Sequence, residues 1–169
     1  MTPSNRNRKD EPEIALDRID GEIIEALQND ARLSNKELAG RIGLAPSSTL
    51  ARVRRLRDAG VLRGYHAVVA PGVLGIGIEA ISAVRLTQHS RDNFRTFFDH
   101  CMSLPEVVAV YQVAGADDFL IHLAVRDADH MHDVVLDGLS TRAEVGHIET
   151  ALIFKHSHKH RLPQYRGGE

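Results

Sequence analysis

The chain has 169 residues, of which 43% are hydrophobic and 26% charged, with a formal net charge of −2. This is the composition of an ordinary globular protein, long enough for one medium domain or two small ones. Its single cysteine, Cys101, excludes a disulfide framework or a thiolate metal cluster, and no stretch approaches the ~18 apolar residues of a membrane-spanning helix. The opening MTPSNRNRKDEPE holds no apolar run of the signal-peptide kind, so a cytoplasmic protein with no membrane association is expected.

Charge is unevenly placed. From Leu16 to Arg63 there are nine Lys/Arg against seven Asp/Glu, and from Arg41 to Arg63 six against one. From Ile78 to Phe154 the balance inverts to five against twelve. A front module suited to a polyanion is joined to one that a polyanion would repel, which predicts two domains with different tasks.

Residues 1–15 read as a polar, flexible tail in which Arg6, Arg8 and Lys9 could brush phosphates. Asp17 then caps a helix whose apolar residues, Ile19, Ile23, Ile24 and Leu27, recur at helical spacing. Ser34-Asn35-Lys36-Glu37 is a capping box for a short helix bearing Leu38, Ala39 and Ile42. Gly43 ends that helix as a left-handed cap, Leu44 plugs the corner, and Pro46 opens a third helix that Gly60 terminates. Stepping ~100° per residue puts Leu50, Val53 and Leu56 on one stripe, opposite Ser47, Ser48, Ala51, Arg52, Arg54 and Arg55.

Two short helices around a glycine turn, preceded by a supporting helix, make a helix-turn-helix over residues 16–63. Any three-helix bundle needs apolar stripes and caps. The brief turn and the exposed face, small at its start and cationic toward its end, point instead to double-stranded DNA. Ser47, Ser48 and Arg52 are the base-edge candidates, while Arg54 and Arg55 suit phosphates; Thr49 and Arg57 lie too near the buried stripe.

The segment from Leu16 to Val69 resembles the N-terminal domain of the leucine-responsive/asparagine-synthesis regulator family, Lrp/AsnC. The matching features are the LD..D..I...L opening, the RLSN.ELA.R.GL second helix, the R.R.L...GV end of the third helix and the following RGY. The likeness extends to about Phe154 and implies a winged-type helix-turn-helix. One departure is Ala45, where the family usually carries Ser; losing a side-chain cap there costs on the order of 1 kcal/mol or shifts the cap elsewhere, which touches the first turn and not the motif.

Residues 64–77 read as a hinge, with one short strand over Gly64–Val69 broken by Pro71, Gly72, Gly75 and Gly77. The resemblance implies that this strand pairs with its mate in a dimer. Residues 78–155 alternate between the two periodicities. A strand at about Glu79–Thr87 precedes a helix with Phe94, Phe97, Phe98, Cys101 and Leu104. Strands follow at Val107–Val113 and Phe119–Val125, then a helix with Met131, Val134, Val135 and Leu139, and a strand at His147–Phe154. The order βαββαβ predicts a ferredoxin-like sandwich, and with the three-helix bundle an α+β protein of two domains.

Apolar residues occupy both sides of these strands. Phe119, Ile121 and Leu123 alternate with Leu120 and Ala124, and Val107, Ala109 and Val113 with Val108 and Val110. Two helices cover one face only, so a homodimer is expected, and the resemblance implies sheet-to-sheet pairing with assembly into octamers. Cys101, on the apolar side of its helix, is expected to be an inert core thiol.

The connection Val113–Phe119 reads as a turn, with Gly115 supplying a positive φ and an aspartate a side-chain turn bond. Its G-x-x-D spacing also resembles the family's effector signature, which implies that Gly115, Ala116, Asp117 and Asp118 meet a small effector, an amino acid. Gly115 and Asp118 match the pattern, while Ala116 and Asp117 fill its variable positions. Backbone groups would meet the ligand carboxylate and Asp118 its ammonium group.

Residues 156–169 form a tail, its LPQYRGGE end read as loose. His156, His158 and His160 alternate, but alternation alone supplies no metal geometry, and no metal site or cofactor is assigned. His122 faces away from Phe119, Ile121 and Leu123 and reads as an interface or satisfied polar residue. The expected function is a DNA-binding transcriptional regulator that reads a pseudo-palindromic operator and senses an amino acid. The alternative is an enzyme of the same outline, such as a tetrapyrrole decarboxylase using His66 or His122. An enzyme has no reason to keep an exposed arginine row, and no catalytic residue is assigned.

Overall fold

A computed structural model of the chain describes residues 14–163 and Tyr165. Arg6, Arg8 and Lys9 lie outside the described residues. The described chain divides into two units, one of residues up to Ala67 together with those from His158 onward, the other Val68–Ser157.

Local signals explain the helices of the first unit. Helix α1, Arg18–Asn29, begins at a reciprocal capping box: Asp17 accepts from the Asp20 amide, and Asp20 accepts from the Asp17 amide. Helix α2, Asn35–Ile42, has the expected Ser34/Glu37 box and ends at Gly43 with φ 70°, a left-handed conformation that a side chain would strain. Helix α3, Pro46–Asp58, starts without a side-chain cap at Ala45. Asn35 Nδ2 donates to the Pro46 carbonyl at 2.8 Å, tying the start of α2 to the first turn of α3. Ile23, Ala26, Leu27, Leu38 and Leu56 form the core between the three helices.

In the second unit, β1 (Ile78–Leu86), α4 (Arg91–Ser103), β2 (Val107–Gln112), β3 (Phe119–Val125), α5 (Ala128–Asp133) and β4 (Val145–Leu152) follow in chain order. The sheet order is β2-β3-β1-β4 with every neighbouring pair antiparallel, the βαββαβ arrangement expected. Helix α5 continues as a wider π-helical stretch, Val134–Ser140, which keeps Val134 and Leu139 on the core side. Phe97 and Cys101 from α4 join them over Val84, Leu86, Phe119, Ile121, Leu123 and Val125, so both helices cover one face of the sheet.

Four expectations need correction. In α3, Thr49 is fully buried and Leu50 is 38% exposed. The stripe runs Thr49, Val53, Leu56, and Leu50 stands ~100° to its side. Burial of Thr49 is tolerated because its hydroxyl donates to the Ala45 carbonyl at 3.1 Å. In β2 a register shift between Val107 and Ala109 breaks the alternation, so Val107 and Val110 both pack on the core while Val108 stays exposed.

Residues 64–70 form no strand with the described residues, because a strand needs a paired neighbouring backbone and no described segment pairs with this one. The tail is anchored rather than loose at its start. Arg161 pairs with Glu25 at 2.7 Å, and the Leu162 amide donates to Gln28, both partners on α1. Smaller differences concern strand ends, notably β4, which begins at Val145 and leaves Phe154 95% exposed.

Candidate nucleic-acid interface

With Thr49 and Leu56 inward, the outward side of α3 presents Ser47, Ser48, Ala51, Arg54 and Arg55, all exposed. Pro46 at the first helical position and the absence of any acidic residue in the first turn leave that end small and uncharged. Arg54 is exposed and makes no ion pair or hydrogen bond among the described residues.

Arg52 and Arg55 are placed differently. Arg52 Nη1 lies 2.7 Å from Asp17 Oδ2 and 2.9 Å from Asp20 Oδ1, and Arg55 Nη2 pairs with Asp20 Oδ2. Asp20 is fully buried, and the same Oδ2 accepts the Asp17 amide at 3.0 Å. The Asp20 amide, and after it Arg52, hold the Asp17 carboxyl below the usual carboxylate range. Asp17, then Asp20, push the Arg52 guanidinium up from its ordinary value. Asp17, Ala51, Arg52 and Arg55 line an open cleft of about 340 Å³ beside α3.

In the sequence Asp17 reads as a helix cap, and Asp17 and Asp20 are the two acids of the LD..D opening; neither is expected to pair with α3. Their signal was present as two acids three apart at the start of α1 and two arginines three apart in α3, each pair sharing a helix face. Nothing local says that the two faces meet.

In the second unit the β2–β3 loop is closed by the Val113 amide donating to the Asp118 carbonyl at 2.9 Å. Gly115 adopts φ 145°, open to glycine and strained for other residues. Asp118 Oδ2 accepts from the Leu86 amide at 2.8 Å and from His89 Nε2 at 3.1 Å, which latches the loop to the end of β1. Arg85 Nε donates to the Ala116 carbonyl at 2.7 Å, and its Nη2 lies 3.7 Å from Asp117 Oδ1. Gly115, Ala116, Asp117 and Asp118 are thus gathered with Arg85 and His89, two residues the sequence reading did not single out.

His122 is 8% exposed on the face away from the helices, where its Nε2 meets Glu79 Oε1 at 3.1 Å. His156 Nδ1 approaches the other Glu79 oxygen at 3.7 Å. No group of three or more His, Cys, Asp or Glu among the described residues is placed to hold a metal. No helix among them is long and apolar enough to cross a membrane.

A three-helix unit with a small-then-basic recognition helix, joined to a βαββαβ unit, defines a DNA-binding transcriptional regulator with a separate ligand-binding domain. Residues 16–63 match the winged helix-turn-helix DNA-binding family, and residues 79–163 match the Lrp/AsnC ligand binding domain. The chain belongs to the Lrp/AsnC family of transcriptional regulators. It is 40% identical to the HTH-type transcriptional regulator AldR of Mycolicibacterium smegmatis over 141 residues, 83% of this chain and 82% of that one. It is 34% identical to the leucine-responsive regulatory protein of Rhizobium meliloti, over 84% of this chain and 91% of that one. Among solved structures it is similar to a Neisseria meningitidis transcriptional regulator in complex with L-Met, with TM-score 0.81, 31% identity, and coverage of 88% of this chain and 97% of that one. These relatives are regulators, and the choice between regulator and tetrapyrrole decarboxylase falls to the regulator.

Proposed function

We infer that this regulator reads a pseudo-palindromic operator as a homodimer, with Ser47, Ser48 and Arg52 toward base edges and Arg54 and Arg55 toward phosphates. The observation that carries this is the outward side of α3: Ser47, Ser48 and Ala51 exposed at its start, then Arg54 with no carboxylate partner among the described residues. Small residues let the helix approach a groove, and the later guanidinium can reach the backbone.

Dimerisation is supported by the sheet face that α4 and α5 leave uncovered. It carries Ile81, Ala83, Leu120, Ala124 and Tyr111, an apolar surface that a second copy would bury. The same copy could supply the missing neighbour of residues 64–70, and dimers could assemble further into an octamer.

The effector reading assigns an amino acid to the loop Gly115–Asp118. The L-Met complex of the Neisseria relative supports the chemical class. Because Asp118 Oδ2 already accepts twice, an ammonium group would have to use Oδ1 or turn to Asp117 beside it.

The test is binding to the DNA upstream of the chain's own gene, and to duplexes selected from a random pool, at two salt concentrations with a panel of the twenty amino acids. Salt-dependent, sequence-selective binding shifted by one amino acid is the expected result. Binding indistinguishable from that to random DNA under every condition would refute the operator reading. Selective binding unmoved by the whole panel would refute the amino-acid reading.

A further inference from the structure

Two of the three arginines on the outward side of α3 are met by carboxylates of the chain itself. The two acids differ in kind. Asp20 is fully buried and bonded to Arg52, Arg55 and the Asp17 amide, so it acts as a fixed strut. Asp17 keeps 53% of its side chain exposed and stands at the rim of the cleft formed with Ala51, Arg52 and Arg55. An anion approaching Arg52 through that cleft meets Asp17 beside it.

The hydrogen bonds leave Arg52 with further donors. Both carboxylates share Nη1, and Nε and Nη2 make no hydrogen bond to the described residues. Guanidinium donors are fixed in one plane, so anchoring one nitrogen at two points sets the direction of the others. The pairing thus does two things at once: it reduces the charge Arg52 offers to any phosphate, and it aims the remaining donors.

We propose that Asp17 is a specificity-determining residue of the DNA-binding surface, an exposed carboxylate that competes with phosphates for Arg52 and orients its free donors toward a base edge. This rests on the DNA-binding reading above. Non-specific affinity comes from phosphate neutralisation, so an arginine half-neutralised by its own chain contributes little to binding arbitrary sequences. Specific affinity depends on directional bonds, which the pairing favours. Asp17 therefore widens the gap between operator and random DNA.

Asp17→Asn tests this without losing the helix cap, since Asn caps as well as Asp. The full chain, Asp17→Asn, Arg52→Ala and the double variant are titrated with a random-sequence duplex, and with the duplex that the unaltered chain selects from a random pool, across a salt series. Releasing Arg52 from one of its two carboxylates, with Asp20 still bound, steepens the log K against log salt slope on random DNA by at most about 0.9, which corresponds to no more than roughly tenfold tighter binding at 0.1 M salt. Affinity for the selected duplex rises less, so the ratio between them falls. In the Arg52→Ala background the Asp17→Asn change has no such effect.

An unchanged slope and affinity on random DNA overturn the proposal. So does an equal gain with and without Arg52, which would mark a general charge effect. If the unaltered chain selects no sequence and shows no salt dependence, the DNA-binding reading itself fails, and this proposal with it.

Discussion

Asp20 is the residue through which the geometry of the recognition helix can be tested most directly. Asp20→Asn keeps the shape but removes the charge, and it turns one acceptor into an NH₂ facing donors from Arg52 or Arg55. Removing one partner of a fully buried ion pair costs about 3–5 kcal/mol. Here the Arg52 and Arg55 side chains are 30% and 45% exposed while Asp20 is fully buried, so water recovers part of the loss. A cost of about 2 kcal/mol follows, which for a domain of this size is a melting shift of roughly 8–16 °C. Thermal and urea unfolding of the full chain, followed by helical circular dichroism, measures it. A variant within 0.5 kcal/mol of the unaltered chain would show that the Asp20 bridges do not hold α3 to α1, and the reasoning would fail.

Acid should loosen the first unit only below the ordinary carboxylate range. The Asp17 carboxyl is held low by the Asp20 amide and by Arg52, so its stabilisation is complete above the ordinary value of 3.8 and is lost as pH falls through the lowered one. Acid unfolding curves of Asp17→Asn should lack that limb, and identical curves would count against the pairing. Burial pushes the Cys101 thiol up to about 12, so the native chain should not react with a thiol reagent at pH 8 and should react once unfolded in urea. Rapid stoichiometric labelling of native protein would contradict the core assignment. Phe97→Ala empties a fully buried site whose ring lies 5.0 Å from that of Phe119, and should cost about 3–5 kcal/mol in urea unfolding. Gly43→Ala forces a side chain into φ 70° and should cost about 1 kcal/mol, read the same way; no loss would mean that the α2–α3 corner is not left-handed.

Much of the fold was legible because its signals are local. Capping residues at Asp17 and Ser34, the glycine at 43 and the proline at 46 bounded the helices of the first unit, and period-two apolar runs marked β1 and β3. Errors arose where a local rule met a distant partner. Leu50 looked more suited to a core than Thr49, yet packing chose Thr49 because its hydroxyl could be satisfied at Ala45. The bulge in β2 is invisible in VVAVYQ, since only pairing with β3 shows which valine is skipped.

Caps, periodicity and motif spacing are properties of neighbouring residues, so the two modules, their element order, the arginine-rich helix and the glycine-aspartate loop are legible in the linear order alone. Tertiary structure alone decided what those side chains meet. Arg52 and Arg55 point to solvent on an isolated helical wheel, but two carboxylates some thirty residues upstream claim both of them. Asp118 looked free to hold a ligand, but its Oδ2 is occupied by the end of β1 and by His89. The physical reason is the same in both places: charge and hydrogen-bonding capacity are spent across space, between residues that the linear order keeps apart.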